Sequence, residues 1–83
     1  GWPTGIEALG ETQILIYPNP TKGLVTIKAR GNVDVIIYDM LGNRIADFQS
    51  LQEEIDLSSY KAGMYNFRIT YRDTIINYRI VKQ

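Results

Sequence analysis

From Tyr17 to Gly23 the chain reads Tyr17-Pro18-Asn19-Pro20-Thr21-Lys22-Gly23, and an alternating run, Leu24-Val25-Thr26-Ile27-Lys28, follows at once. Few chains can accommodate that punctuation. Pro18 and Pro20 fix φ and lack a backbone donor, so neither fits a central position in a sheet. The residue before each proline is pushed toward extended geometry, and Gly23 is expected to supply a turn conformation that other residues resist. One strand therefore ends near Tyr17, the chain reverses, and the next strand leaves from Gly23.

The rest of the chain keeps a period of two, the mark of half-buried strands. Ile14-Leu15-Ile16-Tyr17 is a short apolar strand with no facing written into it. Beyond Gly23, Val25, Ile27 and Ala29 share one face, and Val33, Val35 and Ile37 repeat the pattern after a turn at Gly31-Asn32. Leu41-Gly42-Asn43 closes a hairpin, with Gly42 or Asn43 suited to positive φ. The return strand, Arg44 to Phe48, is weakly patterned and is expected at a sheet edge. Ile55 and Leu57 point inward from the next strand, and Ser58 to Gly63 forms a longer connection with at most one turn of 3₁₀ helix. Tyr65, Phe67 and Ile69 then alternate with Asn66, Arg68 and Thr70; Arg72-Asp73 is a hairpin tip; Ile76, Tyr78 and Ile80 form the inward face of the last strand.

About seven short strands with turn signals every 8–12 residues predict an all-β fold, an antiparallel β-sandwich of immunoglobulin-like type. Residues 1–12 show no period and read as a linker or disordered lead-in, leaving 13–83 as the folded domain. At 83 residues such a domain buries roughly 60–65% of its unfolded surface, close to the limit for a single core. With no cysteine and no histidine, disulfides, thiolate chemistry and ordinary zinc sites are excluded. Packing of the 45% apolar residues must hold the fold. No run is long enough to span a bilayer, no secretory signal pattern opens the chain, and Gly1 in place of Met suggests a piece cut from a longer protein.

Charge and chemistry narrow the function classes. Four basic and eight acidic residues up to Leu57 give −4, whereas five basic residues against Asp73 give +4 from Ser58 onward. The net charge is zero, unlike the basic excess of a nucleic-acid binder. Ser50, Ser58 and Ser59 lack a nucleophile-elbow context. Glu53 and Glu54 are adjacent on an extended chain and diverge, and there is no phosphate loop or calcium-loop spacing. An enzyme is not expected, nor a cofactor, nor a metal site. Tyr65 and Phe67 read as core, and Tyr65, two residues after Gly63 at a strand start, is placed to make the corner hydrogen bond of many sandwiches. Tyr17, Tyr38 and Tyr71 are expected at strand ends or on the outer face.

Three signals in order carry more than each alone. Tyr17 to Gly23 is followed by Val33-Asp34-Val35-Ile36-Ile37-Tyr38-Asp39-Met40-Leu41-Gly42-Asn43. Then comes Ile55-Asp56-Leu57-Ser58-Ser59-Tyr60-Lys61-Ala62-Gly63-Met64-Tyr65-Asn66-Phe67-Arg68-Ile69, and the chain closes with Arg79-Ile80-Val81-Lys82-Gln83. From residue 14 to residue 83 this resembles the C-terminal sorting domain of the type IX secretion system (the Por system), found on exported proteins of Bacteroidetes.

The resemblance implies a non-catalytic export signal at the end of a larger cargo. Its partners would be the outer-membrane translocon and a sortase that removes the domain, with neither nucleic acid nor direct membrane insertion involved and the domain itself a monomer. The cargo would cross the periplasm and finish at the cell surface or outside. Pro18, Asn19, Pro20 and Gly23 would carry the first motif, Asp39 and Gly42 the hairpin, Gly63 and Tyr65 the second turn, and Lys82 the tail. Cleavage is expected before Ile14, where a protease finds unpaired chain. Two other readings of the same fold are an adhesive or carbohydrate-binding module and a structural spacer. The last residues, Val81 to Gln83, are expected to fray and to contribute little to stability.

Overall fold

The computed structural model describes residues 7–9, 14–51 and 53–83, of which 7–9 are described as backbone only. Eight strands follow one another: β1 (Glu7–Leu9), β2 (Ile14–Tyr17), β3 (Leu24–Lys28), β4 (Val33–Tyr38), β5 (Arg44–Leu51), β6 (Glu54–Asp56), β7 (Gly63–Tyr71) and β8 (Thr74–Lys82). Seven of them lie between Ile14 and Lys82, the number that the alternation predicts. The short strand β1 falls within the stretch read as a lead-in and pairs with β2. The remainder of that stretch lies outside the described residues.

The strands form two four-stranded antiparallel sheets, ordered β1-β2-β3-β6 and β5-β4-β7-β8. Their facing sides meet in one apolar core. Ile14, Ile16, Val25, Ile27, Ile55 and Leu57 come from the first sheet side, and Val33, Val35, Ile37, Tyr65, Phe67, Ile69, Tyr71 and Ile80 from the second. Successive side chains of a strand point to opposite faces, so the period-two pattern becomes a buried layer on each sheet. Ile14 and Ile16, whose facing the residues alone left open, turn inward because β3 fixes their register through the Ile16–Ile27 pair. Every buried side-chain nitrogen or oxygen among the described residues has a hydrogen-bond partner.

Position within a sheet explains the graded burial. Val35 and Ile37 in central β4 are fully buried, whereas Ile76 and Tyr78 face inward from β8 but stay half-buried, because β8 is an edge. Strand β5 is the opposite edge, as its weak pattern predicts. Its pairing with β4 shifts register twice. Near one shift Ser50 takes φ 54°, and its N–H donates to Asp34 Oδ1 at 2.9 Å. Bulges of this kind bend an edge away from further pairing.

Tyr17, Tyr38 and Tyr71 each close a strand, as expected. Tyr17 and Tyr38 are half-buried on the outer face, whereas Tyr71 is buried at 5% exposure because it continues the inward alternation of Tyr65, Phe67 and Ile69. One expectation needs correction: the tail is not left unpaired. Lys82 pairs with Gly63 and Val81 with Met64 in the β7–β8 ladder, and a loop holds the same residues from the other side.

Candidate functional site

Antiparallel register gathers the turn motifs at one pole of the sandwich. In the first sheet the Tyr17 end of β2 lies beside the start of β3, where Leu24 pairs with Asp56 at the end of β6. In the second sheet the Tyr38 end of β4 lies beside Asn66, and β7 begins at Gly63 opposite Lys82. The β2–β3 loop, the β4–β5 hairpin, the β6–β7 connection and the end of β8 therefore share this pole.

The β2–β3 loop carries Pro18, Asn19 and Pro20, and both prolines follow cis peptide bonds. Asn19 reaches β8, with its Nδ2 donating to the Arg79 carbonyl at 2.9 Å and its Oδ1 accepting from Val81 N–H at 2.8 Å. A side-chain amide thus mimics a neighbouring strand, satisfying one acceptor and one donor on the outer edge of β8. Thr21 completes the seam with backbone groups. Its N–H donates to the Val81 carbonyl and its carbonyl accepts from Gln83 N–H, each at 2.8 Å, forming a parallel bridge to Lys82.

Thr21 was not singled out from the sequence, yet it is the most deeply buried polar residue described, at 2% exposure. Its hydroxyl donates to the Leu24 carbonyl at 2.5 Å and accepts from Gly23 N–H at 3.0 Å, which closes the loop internally. The available signal was a threonine two residues before a turn glycine, the local pattern by which hydroxyls bond nearby backbone. Gly23 itself needs a different explanation from the one expected. Its φ is not positive; a Cβ there would come within 2.5 Å of Ser58 Oγ. That oxygen is held by Asp56, whose Oδ1 accepts from both the hydroxyl and the N–H of Ser58. These two bonds, the side-chain one first, hold the Asp56 carboxyl below its usual range, with a smaller contribution from the Lys82 charge. Gly23 is required by close approach.

The β4–β5 hairpin is organised by Asp39. Its Oδ1 accepts from Leu41 N–H and Asn43 N–H, both at 2.9 Å, and its Oδ2 accepts from Asn43 Nδ2 at 3.2 Å. Gly42 takes φ 86°, the left-handed conformation anticipated for Gly42 or Asn43. The hydrogen bond from Asn43 N–H is the main reason that the Asp39 carboxyl titrates below its ordinary value. This locked turn presents Leu41 at 88% exposure and Met40 at 55%.

Gly63 opens β7 with φ 153° and has open space where a Cβ would stand. The requirement there is conformational, the first of the two alternatives its position suggested. Tyr65 makes the expected corner, its hydroxyl donating to the Lys61 carbonyl at 2.6 Å. Its ring packs tilted on Tyr60, with centroids 6.1 Å apart. Pro18, Asn19, Pro20, Gly23 and Lys82 thus meet at one seam, Gly63 sits across the ladder from Lys82, Tyr65 braces the adjoining turn, and Asp39 and Gly42 stand at the same pole but two strands away from β8.

A shallow open groove beside the seam is lined by Tyr17, Pro18, Pro20, Leu24, Glu54 and Gln83 among others. Among the described residues no cluster of acids could hold a metal ion. The fold and this pole define a small β-sandwich module whose particular feature is a surface of turns, seated on the last strand. The chain belongs to the secretion-system C-terminal sorting domain family, which matches residues 15–83. That family is the sorting tail of the type IX secretion system, and its members are in general non-catalytic signals on secreted or cell-surface proteins. Neither the comparison with curated proteins nor that with solved structures finds a match.

Proposed function

We propose that residues 13–83 are a folded export signal, read by the outer-membrane translocon at the pole that carries the turn motifs and then removed by a sortase. On this reading the cargo precedes the domain, traverses the periplasm, and is released or retained at the cell surface after cleavage N-terminal to Ile14. The observation that carries it is the grip of Asn19 on Val81, 62 residues apart in sequence. That bond makes the first motif and the tail parts of one surface. A receptor that reads this pole would thereby test whether the chain has folded through its last strand. The nine residues Pro18, Asn19, Pro20, Gly23, Asp39, Gly42, Gly63, Tyr65 and Lys82 would chiefly shape that surface, since most of them set turns.

The test is a periplasmic reporter fused to the N-terminal side of the domain in a bacterium with a type IX system. The intact domain should move the reporter outside the cell and be cut off, whereas the reporter alone stays in the periplasm. Deleting Val81 to Gln83 removes hydrogen bonds to Asn19 and Thr21, so it lowers stability as well as export. Lys82→Gln keeps those backbone bonds and isolates the tail charge. Ile80→Asp places a charge at a fully buried position and serves as the unfolded control. Periplasmic retention of a reporter whose attached domain is demonstrably folded would reject the reading.

A further inference from the structure

The two edges of the second sheet are treated differently. Edge β5 is broken by two register shifts, and the side chain of Asp34 occupies Ser50 N–H. Edge β8 pairs with β7 through nine consecutive residues without a shift. Alternate residues of an antiparallel strand turn their backbone groups to opposite sides. Arg79 C=O and both backbone groups of Val81 point away from β7, because Asn19 and Thr21 bind them there. By the same alternation Ile75 and Asn77 present their N–H and C=O outward, and no strand among the described residues pairs with them. The edge from Thr74 to Tyr78 contains no charge, proline or glycine. Ile75 is 54% exposed, and Ile76 and Tyr78 face the core but remain half-covered. Charges, bulges and prolines are what normally keep such an edge from pairing.

We propose that this edge pairs with the same edge of a second copy, antiparallel about a two-fold axis at Ile76, joining two four-stranded sheets into one of eight. A closed two-fold contact places residue i against residue j and j against i. With the axis at Ile76, Ile75 lies opposite Asn77 of the second copy, and each such pair exchanges two hydrogen bonds between groups already turned outward. Moving the axis to Asn77 would set Ile75 against Arg79, whose carbonyl Asn19 already occupies. The β2–β3 loop thereby excludes that register. Charge agrees with the axis at Ile76. Asp73, in the turn just before β8, lies at the end of the shared ladder on the side of Arg79 of the other copy, so unlike side chains come near one another twice over by symmetry without a backbone pair at Arg79. The two Ile76 side chains meet on the core side and extend the apolar layer across the junction. This replaces the monomer expected from the sequence and stands apart from the sorting role.

Sedimentation equilibrium of the 83-residue chain over micromolar to millimolar concentrations tests the pairing. The wild-type chain should show a reversible monomer–dimer equilibrium. Asn77→Pro removes only outward N–H groups, which an edge strand tolerates, and the lost hydrogen bonds should weaken the dimer at least about tenfold. Asp73→Lys should also weaken it, by bringing like charges near one another, and Asp73→Lys with Arg79→Glu should restore it. Thermal unfolding of each variant monitors the fold, and the charge pair decides should the proline variant fail to fold. A chain that stays monomeric at millimolar concentration overturns the proposal. So does a dimer that Asn77→Pro leaves intact, or one that charge reversal neither weakens nor restores.

Discussion

Asn19 binds Val81 as a neighbouring strand would, its Oδ1 accepting from the Val81 N–H at 2.8 Å while its Nδ2 donates to the Arg79 carbonyl. Asn19→Ala leaves both backbone groups to water or to nothing, and the loss of two such bonds should cost about 1–2 kcal/mol. Amide hydrogen exchange offers the sharper reading. Val81 N–H should exchange much faster in Asn19→Ala, whereas Phe67 N–H, deep in the ladder, should follow only the global change. Equal acceleration at the two sites would mean that Asn19 does not hold the end of β8 locally.

Gly23 and Ser58 form a second coupled pair. In Gly23→Ala the new methyl must push aside Ser58 Oγ, breaking the 2.5 Å bond from that hydroxyl to Asp56. The expected cost is about 1 kcal/mol, the usual value of one such bond. In a Ser58→Ala background the clash is gone, so adding Gly23→Ala should change the denaturant midpoint very little. Additive effects of the two substitutions would show that the approach to Ser58 is not what requires glycine.

Gly63 places a demand of another kind. Nothing lies within 4 Å of where its Cβ would be, yet its φ is 153°. The cost of a side chain there is conformational, so Gly63→Ala and Gly63→Val should both destabilise by about 1–3 kcal/mol. Urea unfolding measures this directly. A valine much costlier than alanine would point to crowding, and an unchanged midpoint in both would remove the demand altogether.

Much of this was legible because it is local. Alternation placed Val25, Ile27, Val35, Ile37, Phe67 and Ile69 in the core, since a strand's two faces are set by counting. The corner bond of Tyr65 to Lys61 was legible for the same reason, as it spans four residues. Contacts between distant segments were not legible. Asn19 looked like a turn former, and nothing near it in sequence announces Arg79 or Val81. Thr21 went unnoticed because its burial depends on where β8 ends. Gly23 was read as a φ requirement because steric approach by Ser58, from another loop, leaves no local trace. Tyr71 was legible as a strand end, and carrying the alternation of Tyr65, Phe67 and Ile69 one step further gives the face it takes.

Tyr65→Phe isolates the corner. The ring stays, with its packing on Tyr60, and only the hydroxyl that donates to Lys61 at 2.6 Å is lost. A loss of about 1–2 kcal/mol is expected, because the Lys61 carbonyl loses its partner in a part-buried place. The slope of the unfolding free energy against urea should not change, since the surface exposed on unfolding is the same. A variant as stable as wild type would reduce the corner to a coincidence of geometry.

The β4–β5 hairpin should make stability fall with acid. Asn43 N–H, and after it the Asn43 side chain and the Leu41 and Gly42 backbone, favour the ionised form of Asp39 and hold its pKa below the ordinary carboxylate value. A group whose folded pKa is depressed stabilises the fold at any pH above its unfolded pKa and loses that contribution as pH falls through the folded one. Asp56 acts in the same direction through Ser58, so the wild-type chain should lose stability from two sites as pH falls from the ordinary carboxylate range through their lowered values. In Asp39→Asn the side-chain oxygen can still accept from Leu41 and Asn43, but nothing titrates. Its denaturant midpoint should therefore fall less over that interval than the wild-type midpoint does, and Asp39→Asn with Asp56→Asn should fall least. Parallel curves for wild type and Asp39→Asn would show that the turn is no more stable around a charged Asp39 than around a neutral one.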